Sequence, residues 1–417
     1  MKRFSWTELF LDEEQAGVVK NEVLFQLDDL FYECWSLGKN IILGWSPSPG
    51  GIDVLVVPHY VIGEAIAPGR TSEAAGTPSE QVNIGELIQQ IVAGEKMLPM
   101  ESLQRLGRLL QRDPLHLALP YAEIGDFPHR VISSLVKRYS ITFVHDRAVA
   151  LFDVVGFSRY SPLEQAVQLN SLAYSVNTAY SKLMDRKIKI RFARTTTGDG
   201  FYVWNRDRSL NANIDLYHFM HLVLADNAIA RSKARGNTTP MLRACFHVGG
   251  HYEFYQSEGL NPTTFSYIVG NVTIELARMI EQARAGQILV GDFEIPVTQE
   301  SAESKKTLSA VEFIERAQDR LSDLKGMILG GDPVASIKCY LTGSSQKDSR
   351  FAIHKYQIKD KHGFVRNAFN AKVNIHRISG DPIFLGIQDS ELSDFGVARW
   401  AVKSPGHAGP AIEGRQG

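Results

Sequence analysis

The stretch that most restricts the fold lies between residues 142 and 205. TFVHDRAVALFDVVGF is a run of apolar and β-branched residues that predicts a buried strand, with Asp153 near its end. SPLEQAVQLNSLAYSVNTAYSKLMDR predicts a helix directly after it: Ser161 is placed as N-cap, Pro162 as the first helical residue and Glu164 as the partner in a capping box. Leu169, Leu172, Val176, Tyr180 and Leu183 recur at helical spacing and predict one buried face. KIRFARTTTGDGFYVWN has two β-rich arms around Gly-Asp-Gly, a hairpin signal that puts Asp199 in a tight turn. A helix around 214–234, a strand MLRACFHVGG, a helix from about 271 to 284 and a strand QILVG continue the pattern. The expected class is α+β, an α/β sandwich.

Upstream, residues 14–38 carry Val18, Val19, Val23, Leu24, Leu27, Leu30 and Phe31 at three- and four-residue spacing and predict a helix. NIILGW and IDVLVVPHYVI are β-branched runs separated by SPSPGG, which predicts a strand pair. Residues 68–80, PGRTSEAAGTPSE, read as an exposed loop or linker, and helical patterns return at 83–94 and 101–112. The end of the chain, SPGHAGPAIEGRQG, is rich in Pro and Gly and is expected to fray. At 417 residues the chain is long enough for two or three domains.

Charge excludes one class of function. With 45 Lys+Arg against 46 Asp+Glu, the formal net charge is −1, so a nucleic-acid binder relying on bulk basicity is disfavoured and any anionic ligand must be held locally. Cys34, Cys245 and Cys339 are widely spaced and form no CxxC pair, which argues against a disulfide framework and a structural zinc site and makes a cytoplasmic home the expectation. No apolar stretch approaches the length of a membrane span, and acids interrupt the start of the chain, so neither a secretion signal nor membrane insertion is expected.

Asp153 and Asp199 are the residues with the clearest chemistry. Two acids at the rims of neighbouring strands, flanked by small residues (Gly156; Gly198 and Gly200), can hold a pair of divalent ions of the kind that drive in-line phosphoryl transfer. All-oxygen ligands suit magnesium or manganese. His247 and His251 flank a Gly-Gly pair without an evident third ligand, and Tyr202 and Trp204 alternate along a hairpin arm as core or pocket wall.

ALFDVVGFSRYSPLEQ, RTTTGDGFYVWN, MLRACFHVGG and YIVGNVTIELARM, in that order over roughly 145–290, resemble the catalytic domain of the class III nucleotidyl cyclases. Through FDVVGFS, SPLEQ, LNSLAYSVN and GDGFYVWN the chain is most similar to the pyrimidine (uridylate or cytidylate) cyclases of bacterial Pycsar antiphage systems. The resemblance implies a catalytic domain over 144–388, an N-terminal α+β extension of unknown role over 1–140 and a tail over 389–417. It also implies two divalent cations, Mn2+ or Mg2+, held by Asp153, Asp199 and the carbonyl of Val154. Gly156, Phe157 and Ser158 would cradle the triphosphate with backbone N–H groups, joined by Arg243 and by Lys361 of the pair Lys359/Lys361. Arg278 falls where the family places its transition-state arginine.

Two departures bear on the substrate. Adenylate cyclases read the purine with a lysine and an aspartate where this chain has Met241 and Tyr267, and guanylate cyclases use other polar residues there, so these two positions are the expected base pocket. The ribose-orienting asparagine is replaced by Ile274, and Asn271, seven residues before Arg278, is the candidate substitute. The resemblance therefore implies conversion of UTP, or CTP, to a 3′,5′-cyclic monophosphate in a homodimer with composite sites, the product acting on a separate effector protein. The alternatives are a purine cyclase with atypical base contacts and a catalytically silent nucleotide-sensing module.

Overall fold

The computed structural model describes residues 21–65, 84–119, 129–257, 264–297, 306–345 and 351–403. The expected linker at 68–80 and the Pro/Gly-rich end lie outside them. The described residues form two compact units, 21–145 with 251–269, and 146–250 with 270–403.

The first unit runs α1 (Asn21–Trp35), β1 (Asn40–Ser48), β2 (Gly51–Pro58), α2 (His59–Ala65), α3 (Ile84–Ala93), α4 (Met100–Leu110), β3 (Leu115–Ala118) and α5 (His129–Lys137). β1, β2 and β3 make an antiparallel sheet in that order. Its faces are buried separately: Ile42, Trp45, Ile52 and Val54 pack with Phe31 of α1 and Ile132 and Leu135 of α5. Ile41, Leu43, Leu55 and Val57 pack with Ile88 of α3 and Leu103 and Leu106 of α4. A strand buried on both sides needs apolar residues at consecutive positions, which is why NIILGW and VLVV do not alternate. The predicted strand IDVLVVPHYVI ends early: Pro58, which has no N–H to give a ladder, closes β2, and HYVI begins α2.

The second unit carries Asp153, Asp199, Arg243 and Arg278. Its elements are β4 (Thr142–Val154), α6 (Pro162–Asp185), β5 (Phe192–Thr196), β6 (Gly200–Asn205), α7 (Leu210–Lys233), β7 (Leu242–Ser257), β8 (Thr264–Val269), α8 (Asn271–Gln282), β9 (Ile288–Gly291), β10 (Glu294–Val297), β11 (Lys306–Ser309), α9 (Ala310–Asp319), β12 (Ile328–Leu329), β13 (Asp332–Leu341), β14 (Gly343–Ser345), β15 (Phe351–Lys359), β16 (Val365–Arg377), β17 (Ile383–Leu385) and β18 (Ala398–Lys403). The first four residues of β4, the end of β7 and all of β8 group with the first unit. The large sheet is ordered β12-β13-β16-β9-β7-β4-β6-β5, with β7 and β9 parallel and the other registered pairs antiparallel, so the class is mixed α/β as expected. Leu172, Val176 and Leu183 of α6 and Phe219, Met220 and Val223 of α7 bury against Ala150 and Phe152 of β4 and Ala244 and Phe246 of β7.

The capping box is present, with Ser161 N donating to Glu164 Oε2 at 2.9 Å and Glu164 N to Ser161 Oγ at 3.4 Å. The predicted face of α6 is buried at Leu172, Val176 and Leu183, but Tyr180 is exposed, and the face also takes in Gln168 and Ser175. The expected tail is in part a strand, since β18 pairs with β15 from Ala352↔Lys403 to Gln357↔Ala398. Its register is supplied by β15, which offers a free ladder edge that residues 398–403 satisfy.

His218 and His221 are buried in this core, and His247 is half-buried. Burial lowers His218 to about 4, where its Nε2–H donates to Ala317 O at 2.8 Å, and holds His247 at about 4. His221 is pushed well below its ordinary value by burial and then by His218. The unfolded chain protonates these rings near pH 6.5, so the stability they confer while neutral is full above that pH and is lost as pH falls towards 4. At pH 5 the loss is about 2 kcal/mol for each of His218 and His247. Urea unfolding at pH 7.5 and 5.0 should show a clearly lower midpoint at pH 5.0, and equal midpoints would contradict neutral burial.

Candidate functional site

Backbone pairing between β4 and β6 builds the centre of the site. Asp153 lies opposite Gly200, and Val154 N donates to Asp199 O at 3.0 Å, so the two acids are locked side by side. Gly200 is required: a Cβ there would stand 1.9 Å from Phe152 O. Thr197 N donates to Gly200 O at 3.0 Å and Thr197 Oγ1 to Asp199 Oδ1 at 3.2 Å, which closes the turn and orients the Asp199 carboxylate.

The two carboxyl groups are close enough to interact directly. Burial pushes the Asp153 carboxyl up, the hydrogen bond and charge of Arg243 oppose this, and the Asp199 charge beside it pushes up again. Arg243 Nε donates to Asp153 Oδ2 at 2.6 Å and Nη1 to Ala283 O at 2.9 Å. Its other amino nitrogen has no hydrogen-bond partner among the described residues. Arg243, expected at the triphosphate, thus stands at the base of the acidic pair as its counter-charge.

Next to the pair the chain makes a tight turn. Gly156 has φ +68, a left-handed conformation that favours glycine, and Phe157–Arg159 form one turn of 3-10 helix. The turn is closed by Arg159 N to Gly156 O and Tyr160 N to Phe157 O, while Val155 N donates to Met241 O at 2.9 Å. The N–H groups of Gly156, Phe157 and Ser158 donate to no protein acceptor among the described residues, leaving three donors at the start of a helical turn where an anion is favoured.

A second polar group gathers on α8 and the β15–β16 hairpin. Arg278 pairs with Glu281 (3.3 Å) and with Asp360 (3.7 Å), and Lys361 pairs with Glu281 (3.2 Å). Arg366 Nη1 donates to Asp360 Oδ2 at 2.8 Å, and its Nε is ion-paired with Glu275 at 2.9 Å. Burial works against ionisation of Asp360, but the N–H groups of His362 and Phe364, then Arg366 and Arg278, hold its carboxyl below the ordinary range. Asn271 and Ile274 are exposed on the same helix, Ile274 at 48 %. Arg278, Asn271 and Lys361 are therefore brought to one surface, and no hydrogen bond or ion pair among the described residues joins their side chains to the Asp153–Asp199 group.

The remaining expected positions separate. Met241 is half-buried, with Arg231 Nη1 donating to its Sδ at 3.2 Å. Tyr267 belongs to the first unit, where it stacks on Phe254 with centroids 5.8 Å apart. Trp204 is core, and Tyr202, pushed up to about 12 by burial, donates to Thr273 O at 3.2 Å, tying β6 to α8. His247 is half-buried with its ring edge-on to Phe293, and among the described residues no group of three or more His, Cys, Asp or Glu could hold a metal. Sequence reasoning missed the Asp360–Arg366–Glu275 network, which joins segments about 85–90 residues apart in sequence and has no local signature.

The acidic pair fits a hard divalent cation. Two crowded carboxylates, one raised by the other, gain from a cation between them, and magnesium-type ions are commonly held by one or two carboxylates with phosphate oxygens completing the shell.

No protein family's sequence profile matches the chain, and no curated protein does. Among solved structures, the guanylate cyclase domain of RhGC from Catenaria anguillulae in complex with GTP is 15 % identical, covers 40 % of this chain and 95 % of its own, and has a TM-score of 0.29. The guanylyl cyclase Cya2 is 11 % identical over 62 % of this chain and 98 % of its own, with a TM-score of 0.34. The adenylyl cyclase CyaB from P. aeruginosa is 11 % identical over 41 % and 94 %, with a TM-score of 0.26. At these identities and TM-scores none of the three bears on activity.

Removing one of the crowded charges separates stability from ligand binding. Asp199→Asn is expected to leave melting unchanged or raise Tm by about 1–3 °C, because a buried neighbour loses its like-charged partner. Mn2+ should raise the Tm of the parent protein and leave that of the variant unchanged, both read by differential scanning calorimetry.

Proposed function

We propose that this chain is a nucleoside-triphosphate cyclase that converts UTP, or CTP, into the 3′,5′-cyclic monophosphate and pyrophosphate. The observation that carries the reading is the Asp153–Asp199 carboxylate pair, fixed by strand pairing beside the Gly156–Ser158 turn with its three unused N–H groups. Mn2+ or Mg2+, when bound by Asp153, Asp199 and the Val154 carbonyl, would supply the positive charge that favours the ionised 3′-hydroxyl and neutralises the polyphosphate.

The protein's own part is positioning and charge. Gly156, Phe157 and Ser158 would donate their N–H groups to polyphosphate oxygens, and the spare amino group of Arg243 would reach the same ligand while Nε keeps its hold on Asp153. In-line attack of the 3′-oxygen on the α-phosphorus breaks the bond to the leaving pyrophosphate, and charge grows on the non-bridging oxygens. Arg278 is the guanidinium assigned to that charge. Glu281 and Asp360 hold its side chain extended, and Lys361 lies beside it across Glu281. Because no hydrogen bond or ion pair joins this group to the aspartates, we assign the two halves to opposite subunits of a homodimer with two composite sites. Met241 and Tyr267, in place of the purine-reading pair, favour a pyrimidine. The role of the product as a messenger to an effector protein in antiphage defence rests on the resemblance alone.

A second reading is a nucleotide-sensing module without turnover. The exposed Ile274, where the related cyclases orient the ribose, favours it.

Incubation with each of the four NTPs and Mn2+ decides between these readings. The cyclase reading expects cyclic UMP or CMP with pyrophosphate. Conversion of ATP or GTP alone would overturn the pyrimidine assignment, and tight binding without pyrophosphate release would favour the sensing module. Asp199→Ala and Arg278→Ala should each lower kcat at least about 100-fold. Mixing the two inactive variants should restore about a quarter of the parent activity, since half of randomly mixed dimers contain both chains and each of these has one intact site. No restoration would exclude a composite site.

A further inference from the structure

Away from the aspartates, the paired strands β14 and β15 and the turn that follows β17 bring together a serine, a histidine and an aspartate. Ser344 is paired with Ala352, so His354, two residues further along β15, is its diagonal neighbour on the same face of the sheet. Ser344 Oγ lies 3.0 Å from His354 Nε2, and His354 Nδ1 lies 3.0 Å from each carboxylate oxygen of Asp389. Asp389 opens the 3-10 turn Asp389–Leu392, whose Leu392 is buried, and Asn370 of β16 ties the approach to it, Nδ2 donating to Ile387 O at 3.0 Å.

A carboxylate only accepts, so the Nδ1 that faces it carries the ring proton, and Nε2 is left with a lone pair directed at the Ser344 hydroxyl. Asp389 is itself held: the Tyr356 hydroxyl donates to Oδ1, Thr342 Oγ1 donates to the same oxygen at 3.3 Å, and Arg399 Nη1 donates to Oδ2 at 3.4 Å. Burial and then the bond to Asp389 push the Tyr356 phenol up, so it keeps its proton and stays a donor. The inner pair is shielded, the His354 and Asp389 side chains being 11 % and 17 % exposed, whereas Ser344 is exposed. β14 has no partner strand but β15 among the described residues. Because Thr342 O accepts the His354 N–H, the two-residue alternation of an antiparallel ladder turns the N–H groups of Gly343 and Ser345, on either side of Ser344, to that open edge.

The geometry points to a second catalytic centre, a Ser344–His354–Asp389 triad that cleaves small carboxylic esters by acyl transfer. Nucleophile, base and orienter stand in hydrogen-bond reach of one another in the order this chemistry needs. His354 Nε2 takes the hydroxyl proton as Ser344 Oγ bonds to the acyl carbon; the ester C–O bond breaks, and the alkoxide leaves with that proton. Water then attacks the acyl carbon and gives a proton to Nε2, the Oγ–acyl bond breaks, and the proton returns to Oγ. Asp389 keeps the ring in the tautomer that each transfer needs and offsets the charge of the imidazolium. The open-edge N–H groups of Gly343 and Ser345 are assigned to the developing oxyanion. With Ser344 at an exposed sheet edge, the ester must be small enough, or slender enough at its acyl end, to reach it edge-on. This centre uses none of the residues assigned to the cyclase, so the two readings stand separately.

The test treats the full-length protein with a fluorophosphonate, which phosphonylates activated serines with loss of fluoride, and with p-nitrophenyl acetate as the ester. Mass spectrometry of a digest should place the adduct on Ser344 of the parent protein and find none at that position in Ser344→Ala, which removes one exposed hydroxyl and leaves the core intact. Release of p-nitrophenol should be lost in Ser344→Ala, and folded His354→Gln should show both labelling and release slowed about 100-fold or more. If His354→Gln does not fold, the position of the adduct and the loss of release in Ser344→Ala decide. A parent protein that takes no adduct, an adduct on other serines only, release unchanged in Ser344→Ala, or labelling of folded His354→Gln at the parent rate would each overturn the triad. Neither readout involves a nucleotide, so failure here leaves the cyclase reading standing, and failure of the cyclase reading leaves the triad standing.

Discussion

Antiparallel pairing of β4 with β6 is the constraint on which the rest of the site depends. Two carboxylates repel, and a folding chain would ordinarily let them turn apart. Here the main chain prevents it: Val154 N is bonded to Asp199 O, and Gly200 lets β6 approach Phe152 O more closely than any side chain would allow. The electrostatic cost is offset locally, by the Arg243 guanidinium on Asp153 and the Thr197 hydroxyl on Asp199. A strained electrostatic arrangement held by an over-determined backbone is the usual signature of a functional position, because stability alone would select against it.

The second polar group follows the opposite logic. Arg278, Lys361 and Arg366 alternate with Glu275, Glu281 and Asp360, so each charge has a partner and the group is close to neutral. Asp360 is the centre, nearly buried and bonded by two backbone N–H groups, which makes it a rigid post rather than a mobile counter-ion. A post of this kind fixes where Arg278 can reach. Its distance from the Arg278 Nε, 3.7 Å, is too long for a hydrogen bond, so the guanidinium is oriented without being fully spent. The near-zero net charge of the chain is compatible with a triphosphate ligand on these terms, since the needed positive charge is concentrated in a few placed groups rather than spread over a surface.

Much of the fold was legible in the sequence because local rules decide it. The Ser161–Glu164 capping box, the Gly-Asp-Gly hairpin and the doubly buried strands of the first unit are each fixed by nearby residues. What the sequence hid was set by distant partners. HYVI has strand propensity and is a helix because Pro58 ends the ladder. Residues 398–403 became a strand only because β15 had an edge to offer, and Gln168, polar by composition, is buried because Asn237 O, far along the chain, takes its amide. Of the site, the positions of Asp153 and Asp199 could be read from motifs. The attachment of Arg243 to Asp153 could not, since it depends on β7 lying next to β4.

Those two kinds of information meet at Met241. Read along the chain, it is an apolar residue between Pro240 and Leu242 with nothing local to show what it holds. Read in space, its carbonyl holds Val155 beside the Gly156–Ser158 turn, and its sulfur holds Arg231. Arg231, at the end of α7, and Met241 line one cleft. One residue thus ties the end of β4, α7 and the entry to β7, although nothing beside it in the sequence marks it for that part.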